Sequence, residues 1–191
     1  ELYDIQRDPS QSKNIATDHP DVVAELRQVY EAWWSDCNPQ PDRYSRIPIG
    51  DPQAELVCLT AHDWHGPNPP WNQSMVAKGA PTNGFWEITV ARPGVYEFLL
   101  ARQPLEQPIA IDCSEAEVQV GEQTVRQTVS KSARLAPIHM QFSAGDYRLS
   151  TRLFTHEQPG VDCGAFIVYV NYCGQSKPTS SPLPKWLQPG D

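Results

Sequence analysis

The clearest structural signal in this 191-residue chain is the run Gly84-Phe85-Trp86-Glu87-Ile88-Thr89-Val90-Ala91-Arg92-Pro93-Gly94-Val95-Tyr96-Glu97-Phe98-Leu99-Leu100. Apolar and polar side chains alternate in both halves of the run, which is the pattern of a strand with one buried face. The Pro93-Gly94 pair between the halves suits a type II turn. We therefore predict a β-hairpin with strands at residues 84–90 and 95–100.

The same pattern, punctuated by turns, continues on both sides of this hairpin. It predicts seven further strands, at residues 46–49, 55–60, 116–120, 124–129, 138–142, 147–154 and 165–172. Turns at residues 120–123 and 143–146 each join two of them. Short strands at this spacing favour an antiparallel β-sandwich of jelly-roll type, so the fold class is mainly β. We assign residues 46–173 to this module and residues 174–191, rich in Pro and Ser, to a flexible tail.

An amphipathic helix precedes the predicted sandwich. At 3.6 residues per turn, one stripe collects the apolar residues Val22, Val23, Leu26, Val29, Tyr30, Trp33 and Trp34. Asp18, Pro20 and Asp21 suit the helix start, and Asn38-Pro39 ends it. We predict a short strand at residues 2–5 before the helix. The stripe needs a large partner surface, which either the sandwich or an upstream part of a longer protein supplies.

Composition excludes several classes of partner. The chain has 23 acidic and 15 basic residues, a formal charge of -8, which argues against nucleic-acid binding. No apolar run approaches the roughly 18 residues that a membrane span requires. Cys163 and Cys173 flank one predicted strand, about 30 Å apart when extended, so they cannot pair with each other. The five cysteines leave at least one unpaired, and their spacing matches no metal motif, so we interpret them as buried free thiols.

Two parts of the chain resemble the sulfatase family. Glu1-Leu2-Tyr3-Asp4-Ile5, followed by Asp8-Pro9, Asn14-Ile15-Ala16 and the helix, is similar to the C-terminal end of the sulfatase catalytic domain. Some bacterial arylsulfatase-type sulfatases carry a β-sandwich after that helix, and the runs at residues 58–65, 70–73, 83–90, 94–98 and 164–170 resemble it. The resemblance covers about residues 1–172.

The resemblance implies a parent enzyme that hydrolyses sulfate esters with a formylglycine nucleophile and Ca²⁺, exported to the periplasm or the outside. All those active-site residues lie upstream in the family, so no catalytic residue, metal ligand or cofactor transfers to this chain. Residues 1–37 would be the terminal strand and helix of the catalytic domain's smaller subdomain, with that domain as the partner in cis. We expect this chain alone to be inactive and the sandwich to have a structural or substrate-access role. Cys37-Asn38-Pro39-Gln40-Pro41 lacks the Arg of the formylglycine motif, so we interpret it as a coincidence.

One polar and aromatic loop is the candidate ligand site. It contains His62, Asp63, Trp64, His65, Trp71, Asn72 and Gln73. Trp faces can stack on sugar rings and the polar side chains can bind hydroxyls, which predicts a carbohydrate-binding module as the alternative function. A loop pinned by its own aromatics, or an interdomain contact, fits the same residues. His62 and His65 are only a weak metal signal, because no helix places both rings on one face.

A second surface carries basic residues. Arg126, Lys131 and Arg134 fit either a solvated strand face or a contact with a sulfated polymer.

Overall fold

The structure, a computed structural model, describes residues 1–37, 44–70, 72–154 and 162–176. The chain divides into two compact units, Glu1–Tyr44 and Ser45–Asp191. Of the predicted tail, residues 177–191 lie outside the described part. None of the described helices is long and apolar enough to cross a bilayer.

The described residues of the first unit form one helix, α1 (Pro20–Cys37), with Asp21 in its first turn. No residue of α1 is buried. Much of its apolar stripe is exposed to solvent, with 47% to 62% of the surface accessible at Leu26, Val29, Tyr30, Trp33 and Trp34.

The strand predicted at residues 2–5 is wrong. Leu2 makes two hydrogen bonds, donating to Asn14 Oδ1 at 2.9 Å and accepting from the Ile15 amide at 2.9 Å. The chain then turns, because the Asp4 carbonyl accepts from the amides of Arg7 and Asp8. A strand requires a neighbour along its length, and the described residues of this unit supply only this short contact.

The described residues of the second unit form ten strands and two short helical segments. The strands are β1 (Ile47–Ile49), β2 (Leu56–Thr60), β3 (Phe85–Val90), β4 (Gly94–Ala101), β5 (Glu115–Val120), β6 (Gln123–Thr128), β7 (Ala136–Phe142), β8 (Gly145–Phe154), β9 (Asp162–Cys163) and β10 (Ile167–Gly174). The helical segments are a 3₁₀ turn (Ala61–Asp63) and α2 (Gln73–Ala77).

The strands form two sheets. The larger has the order β1-β3-β8-β5-β6, with β9 beside β8, and the smaller has the order β2-β10-β4-β7. All described neighbours are antiparallel except β1 and β3, which run parallel. The predicted mainly β sandwich is confirmed, although its larger sheet is mixed and not wholly antiparallel.

The predicted hairpin at residues 84–100 is wrong. β3 pairs with β8 in the larger sheet, whereas β4 pairs with β10 and β7 in the smaller one. Crossing between sheets lets Trp86 of β3 and Phe98 of β4, both fully buried, contribute to one core from two layers. β7 and β8 likewise lie in different sheets, so the turn at residues 143–146 also joins two layers. The hairpin of β5 and β6 is confirmed, with Val118 opposite Val125.

An aromatic cluster closes one end of the core. Trp86 donates its indole N–H to the Thr60 carbonyl at 2.8 Å, which links β3 of one sheet to β2 of the other. Trp64 packs against this pair of layers, with its ring 5.6 Å from Trp86 and 5.7 Å from Phe166. This end of the sandwich carries the candidate site.

Candidate functional site

A cleft of about 480 Å³ opens beside the ends of β2 and β10. Four chain segments form it: the end of β2 with the 3₁₀ turn, the start of α2, the loop after β4, and the start of β10. Its lining residues are Thr60, Ala61, His62, Pro70, Asn72, Gln73, Val76, Gln103, Pro104, Phe166 and Ile167.

One wall of the cleft is α2, which is held by its N-cap. The Asn72 side-chain oxygen accepts from the amides of Ser74 and Met75, both at 3.1 Å, and from the Ser74 hydroxyl at 2.7 Å. This satisfies two of the amides that a helix start leaves unpaired. The cap therefore fixes Gln73 and Val76 at the cleft.

The opposite wall is the end of β2 with the 3₁₀ turn. Thr60 is the register partner of Ile167, and the next residue, Ala61, donates its amide to the Phe166 carbonyl at 2.7 Å. The Thr60 hydroxyl donates to the Asp63 carboxylate at 3.0 Å. These bonds hold His62 at the cleft edge on a short, tightly connected turn.

Trp64 does not belong to the ligand surface, which corrects the interpretation made from sequence. Only 5% of its surface is exposed, and it packs on Trp86 and Phe166. A Cβ added at Gly84 or Gly164 would come within 2.6 Å of Trp64 carbon atoms, so these two glycines make room for the indole. Protein atoms therefore occupy the space beside this ring that a sugar would need.

The other predicted site residues divide between the cleft and other contacts. His62, Asn72 and Gln73 line the cleft. His65 instead exchanges two backbone hydrogen bonds with Phe85, at 2.8 and 3.0 Å, and its ring lies 5.7 Å from the Phe85 ring. Asp63 accepts the Thr60 hydroxyl, and Trp71 lies outside the described residues.

Sequence reasoning missed the distant half of the cleft. Gln103 and Pro104 follow β4, while Phe166 and Ile167 come at the start of β10. They reach the His62 loop only because β4 and β2 both pair with β10. No local sequence pattern identifies these four residues. The predicted strand that ends at residue 100 indicates only that Gln103 lies in a loop.

The electrostatic surroundings of the cleft are negative. Partial burial raises the pKa of the Cys58 thiol, and the carboxylates of Glu106 and Asp63 raise it further. Burial also raises the pKa of Tyr169, and Glu106 adds to that rise. Cys58 and Tyr169 are register partners, two residues along their strands from the cleft residues Thr60 and Ile167. Both carboxylates thus act on a residue that lies about 7 Å, one repeat of the strand face, from the cleft residue Thr60.

The described residues contain no group of three or more His, Cys, Asp or Glu side chains placed to hold a metal. His62 lies at the cleft while His65 is held at β3, so the pair does not share one face. The five cysteines are free thiols, but the prediction that they are buried is wrong for Cys37 and Cys58, which are exposed, whereas Cys113 and Cys163 are buried.

Comparisons with known proteins give likenesses of structure alone. No family model matches the chain, and no curated protein matches it. The chain is similar in structure to a ruminal GH26 endo-beta-1,4-mannanase, at 15% identity and a TM-score of 0.41, covering 72% of this chain and 28% of that one. It is also similar to an alpha-L-fucosidase from Vibrio sp. strain EJY3, at 14% identity and a TM-score of 0.34, covering 66% of this chain and 24% of that one.

A third similar structure is the CBM36-1 domain of a multidomain xylanase from the hindgut metagenome of Trinervitermes trinervoides. The identity is 11% and the TM-score 0.32, covering 62% of this chain and 98% of that domain. This chain thus spans less than a third of the mannanase or the fucosidase. At these identities and TM-scores, none of the three bears on what this chain binds.

Proposed function

We propose that the β-sandwich is a carbohydrate-binding module whose site is the cleft between His62 and Gln103. The observation that carries this proposal is the composition of the cleft wall. Three amide side chains, Asn72, Gln73 and Gln103, line the cleft together with apolar residues such as Val76 and Ile167. Amides both donate and accept hydrogen bonds, as sugar hydroxyls require, and apolar groups suit the C–H face of a pyranose ring.

The size and rigidity of the cleft also support this proposal. Its volume of about 480 Å³ lies within the range of roughly 300–1,000 Å³ typical of small-molecule sites. Asn72 uses its side-chain oxygen for the helix cap, so its NH₂ group is the part that it can offer to a ligand. A wall held by backbone and cap hydrogen bonds needs little ordering when a ligand binds.

The test is a glycan array followed by calorimetry on the full chain. Gln73→Ala and Gln103→Ala each remove one hydrogen-bonding group, so each should weaken binding by about 2- to 10-fold. Gln123→Ala is the matched control, because Gln123 is exposed at the start of β6, at the opposite edge of the sandwich. Silence of the wild-type chain on the array, or equal affinity of all three variants, would overturn the proposal.

A second function is favoured by a different observation, the exposed apolar face of α1. We propose that the first unit docks on a sulfatase-type catalytic domain, as the sulfatase resemblance of its sequence implies. Tyr30, Trp33 and Trp34 form an aromatic cluster on this face, with ring centroids 5.9 to 6.3 Å apart. Covering their exposed halves would remove roughly 300 Å² of apolar surface from water, worth about 7 kcal/mol before the entropy of association.

This docking is tested by mixing the chain with an arylsulfatase-type catalytic domain expressed without its own C-terminal region. We expect a complex that Trp33→Ala and Trp34→Ala weaken and that Gln28→Ala, on the polar face of the same helix, leaves unchanged. The docking role is wrong if no complex forms and the catalytic domain is equally stable and active alone.

A further inference from the structure

We infer that the cleft takes a neutral carbohydrate and discriminates against sulfated or otherwise anionic ones. This inference rests on the proposed carbohydrate-binding function and names the ligand class of the same site. Two observations support it: the described lining residues include no Lys or Arg, and two carboxylates lie beside the cleft.

The wall offers no fixed positive charge. Among the described lining residues there is no Lys or Arg, and His62 is the only titratable side chain. Recognition of a sulfate group relies on charge-assisted hydrogen bonds from such cations, which are about twice as strong as neutral ones. The side chains present are amides and a hydroxyl, which match sugar hydroxyls.

The nearest arginine in the sequence, Arg102, directs its charge elsewhere. Its guanidinium packs against Gly79, where a Cβ would collide with it. Burial raises the pKa of the Cys163 thiol, and the positive charge of Arg102 lowers it. The Arg102 guanidinium is therefore near Cys163, which is a buried residue. Arg102 does not line the cleft although the next residue, Gln103, does.

Two carboxylates lie beside the cleft, whereas the two cations nearest to the lining residues in sequence, Lys78 and Arg102, do not line it. Asp63 holds the hydroxyl of the lining residue Thr60 at 3.0 Å, and Glu106 follows the lining residue Pro104 by two positions. Both carboxylates act on Cys58, on the same strand face as Thr60. A sulfate in the cleft would be repelled by these two carboxylates and would find no Lys or Arg among the described lining residues, in a chain whose formal charge is -8.

The basic side chains of the second surface do not change this balance. Arg126 is paired with Glu115 at 2.5 Å and lies 3.7 Å over the Phe154 ring. It belongs to β6, at the edge of the larger sheet, whereas the cleft adjoins β2, at the edge of the smaller one. A sulfated polymer bound there would be recognised independently of the cleft.

The test compares cellohexaose, mannohexaose and xylohexaose with chemically sulfated preparations of the same three, by calorimetry on the full chain. We expect at least one neutral ligand to bind about tenfold or more tightly than its sulfated form. Its affinity should change by less than about twofold between roughly 50 and 500 mM NaCl, because no ion pair forms. Gln103→Lys should narrow or reverse the preference, while the matched control Gln123→Lys should preserve it.

The remaining outcomes separate the two ideas. Tighter binding of a sulfated form, weakened by Gln73→Ala and Gln103→Ala, overturns the neutral preference and leaves the carbohydrate site in place. If binding of a sulfated form is unchanged in Gln73→Ala and Gln103→Ala but lost in Lys131→Ala and Arg134→Ala, the cleft is not the binding site. Silence with all six ligands overturns both the preference and the proposed function for these sugars.

Discussion

At the scale of single residues, Trp64 is the side chain on which the cleft end of the sandwich depends. Its indole contacts Trp86 of one sheet and Phe166 at the start of β10 in the other, so it closes the space between the two layers. A buried Trp contributes a large apolar area and leaves a large cavity when it is truncated. Its role is packing. Trp64 affects the cleft residues His62 and Gln73 only because its position in the core determines the shape of the loop that carries them.

Trp64→Ala should therefore lower the free energy of unfolding by about 3–5 kcal/mol, the usual cost of truncating a buried aromatic residue. Trp33→Ala is the matched control, because 55% of Trp33 is exposed and its truncation should cost less than about 0.5 kcal/mol. Urea denaturation monitored by circular dichroism measures both. Equal costs for the two variants would show that Trp64 is not a core residue.

The burial of Trp64 could not be predicted from its neighbours in sequence. His62, Asp63 and His65 are polar, and a Trp among polar residues is typical of an exposed binding loop. The space that accepts the indole is created by Gly84 and Gly164, which lie 20 and 100 positions away. A missing side chain on a distant segment leaves no trace in the local pattern, so only the folded structure reveals the fit.

Cys113 gives the stability of the sandwich a dependence on alkaline pH. It is 1% exposed, and burial, assisted by Cys163 and Asp112, raises the pKa of its thiol from 9.0 to about 11. Below about pH 9 both the folded and the unfolded chain keep this proton. Between about pH 9 and 11 the unfolded chain releases it while the folded chain retains it, so stability falls as pH rises.

Between about pH 8.5 and 11, the Cys113→Ala variant should lose roughly 2 kcal/mol less unfolding free energy than the wild-type chain. Urea titrations across this range measure the slope. Cys37→Ala is the control, because Cys37 is exposed on α1 and should leave the slope unchanged. An unaltered slope in Cys113→Ala would show that the Cys113 thiol does not cause the pH dependence. Part of the slope should remain in this variant, because burial also raises the pKa of the Cys173 thiol to about 11.

At the scale of elements, the sequence predicted strands better than it predicted their partners. The apolar pattern located β3 and β4 to within one residue, although all eight residues of β4 are buried and not only those of one face. The same pattern results whether the next strand returns to the same sheet or crosses to the other. At residues 91–94 the chain crosses, and Gly94, with φ of 152°, comes close to the Gly174 carbonyl of β10. That contact lies 80 residues away along the chain, beyond any local turn pattern.

The short helix α2 depends on its cap more than on packing. It has five residues and none is buried, so the bonds from Asn72 supply much of what holds it. Asn72→Ala should cost about 1 kcal/mol locally and speed amide exchange at Ser74 and Met75 by roughly fivefold, without changing global stability. Asn72→Ser keeps a capping oxygen and should restore slow exchange. Hydrogen exchange measured by NMR decides, and unchanged rates in Asn72→Ala would show that the cap does not hold the cleft wall.

At the scale of the whole molecule, the hydrophobic core belongs to the second unit alone. Its buried apolar residues run from Ile49 to Val170, and α1 contributes none. The two units therefore differ in kind: one contains a closed core, and the other presents an uncovered aromatic face. This difference fits the two proposed functions, since ligand binding needs a rigid body and docking needs an exposed apolar surface.

Removing residues 1–44 should accordingly leave the unfolding free energy of the sandwich within about 1 kcal/mol of the full chain, because the described core residues all come later in the chain. Removing residues 1–50 should cost several kcal/mol more, since it also deletes β1. That strand supplies the fully buried Ile49 and pairs with β3, and the preceding Arg46 binds the buried Glu87 carboxylate at 2.7 Å. Urea denaturation of both truncated chains measures the difference. A loss of several kcal/mol in both would show that residues 1–44 contribute to the stability of the sandwich, and a small loss in both would show that β1 does not.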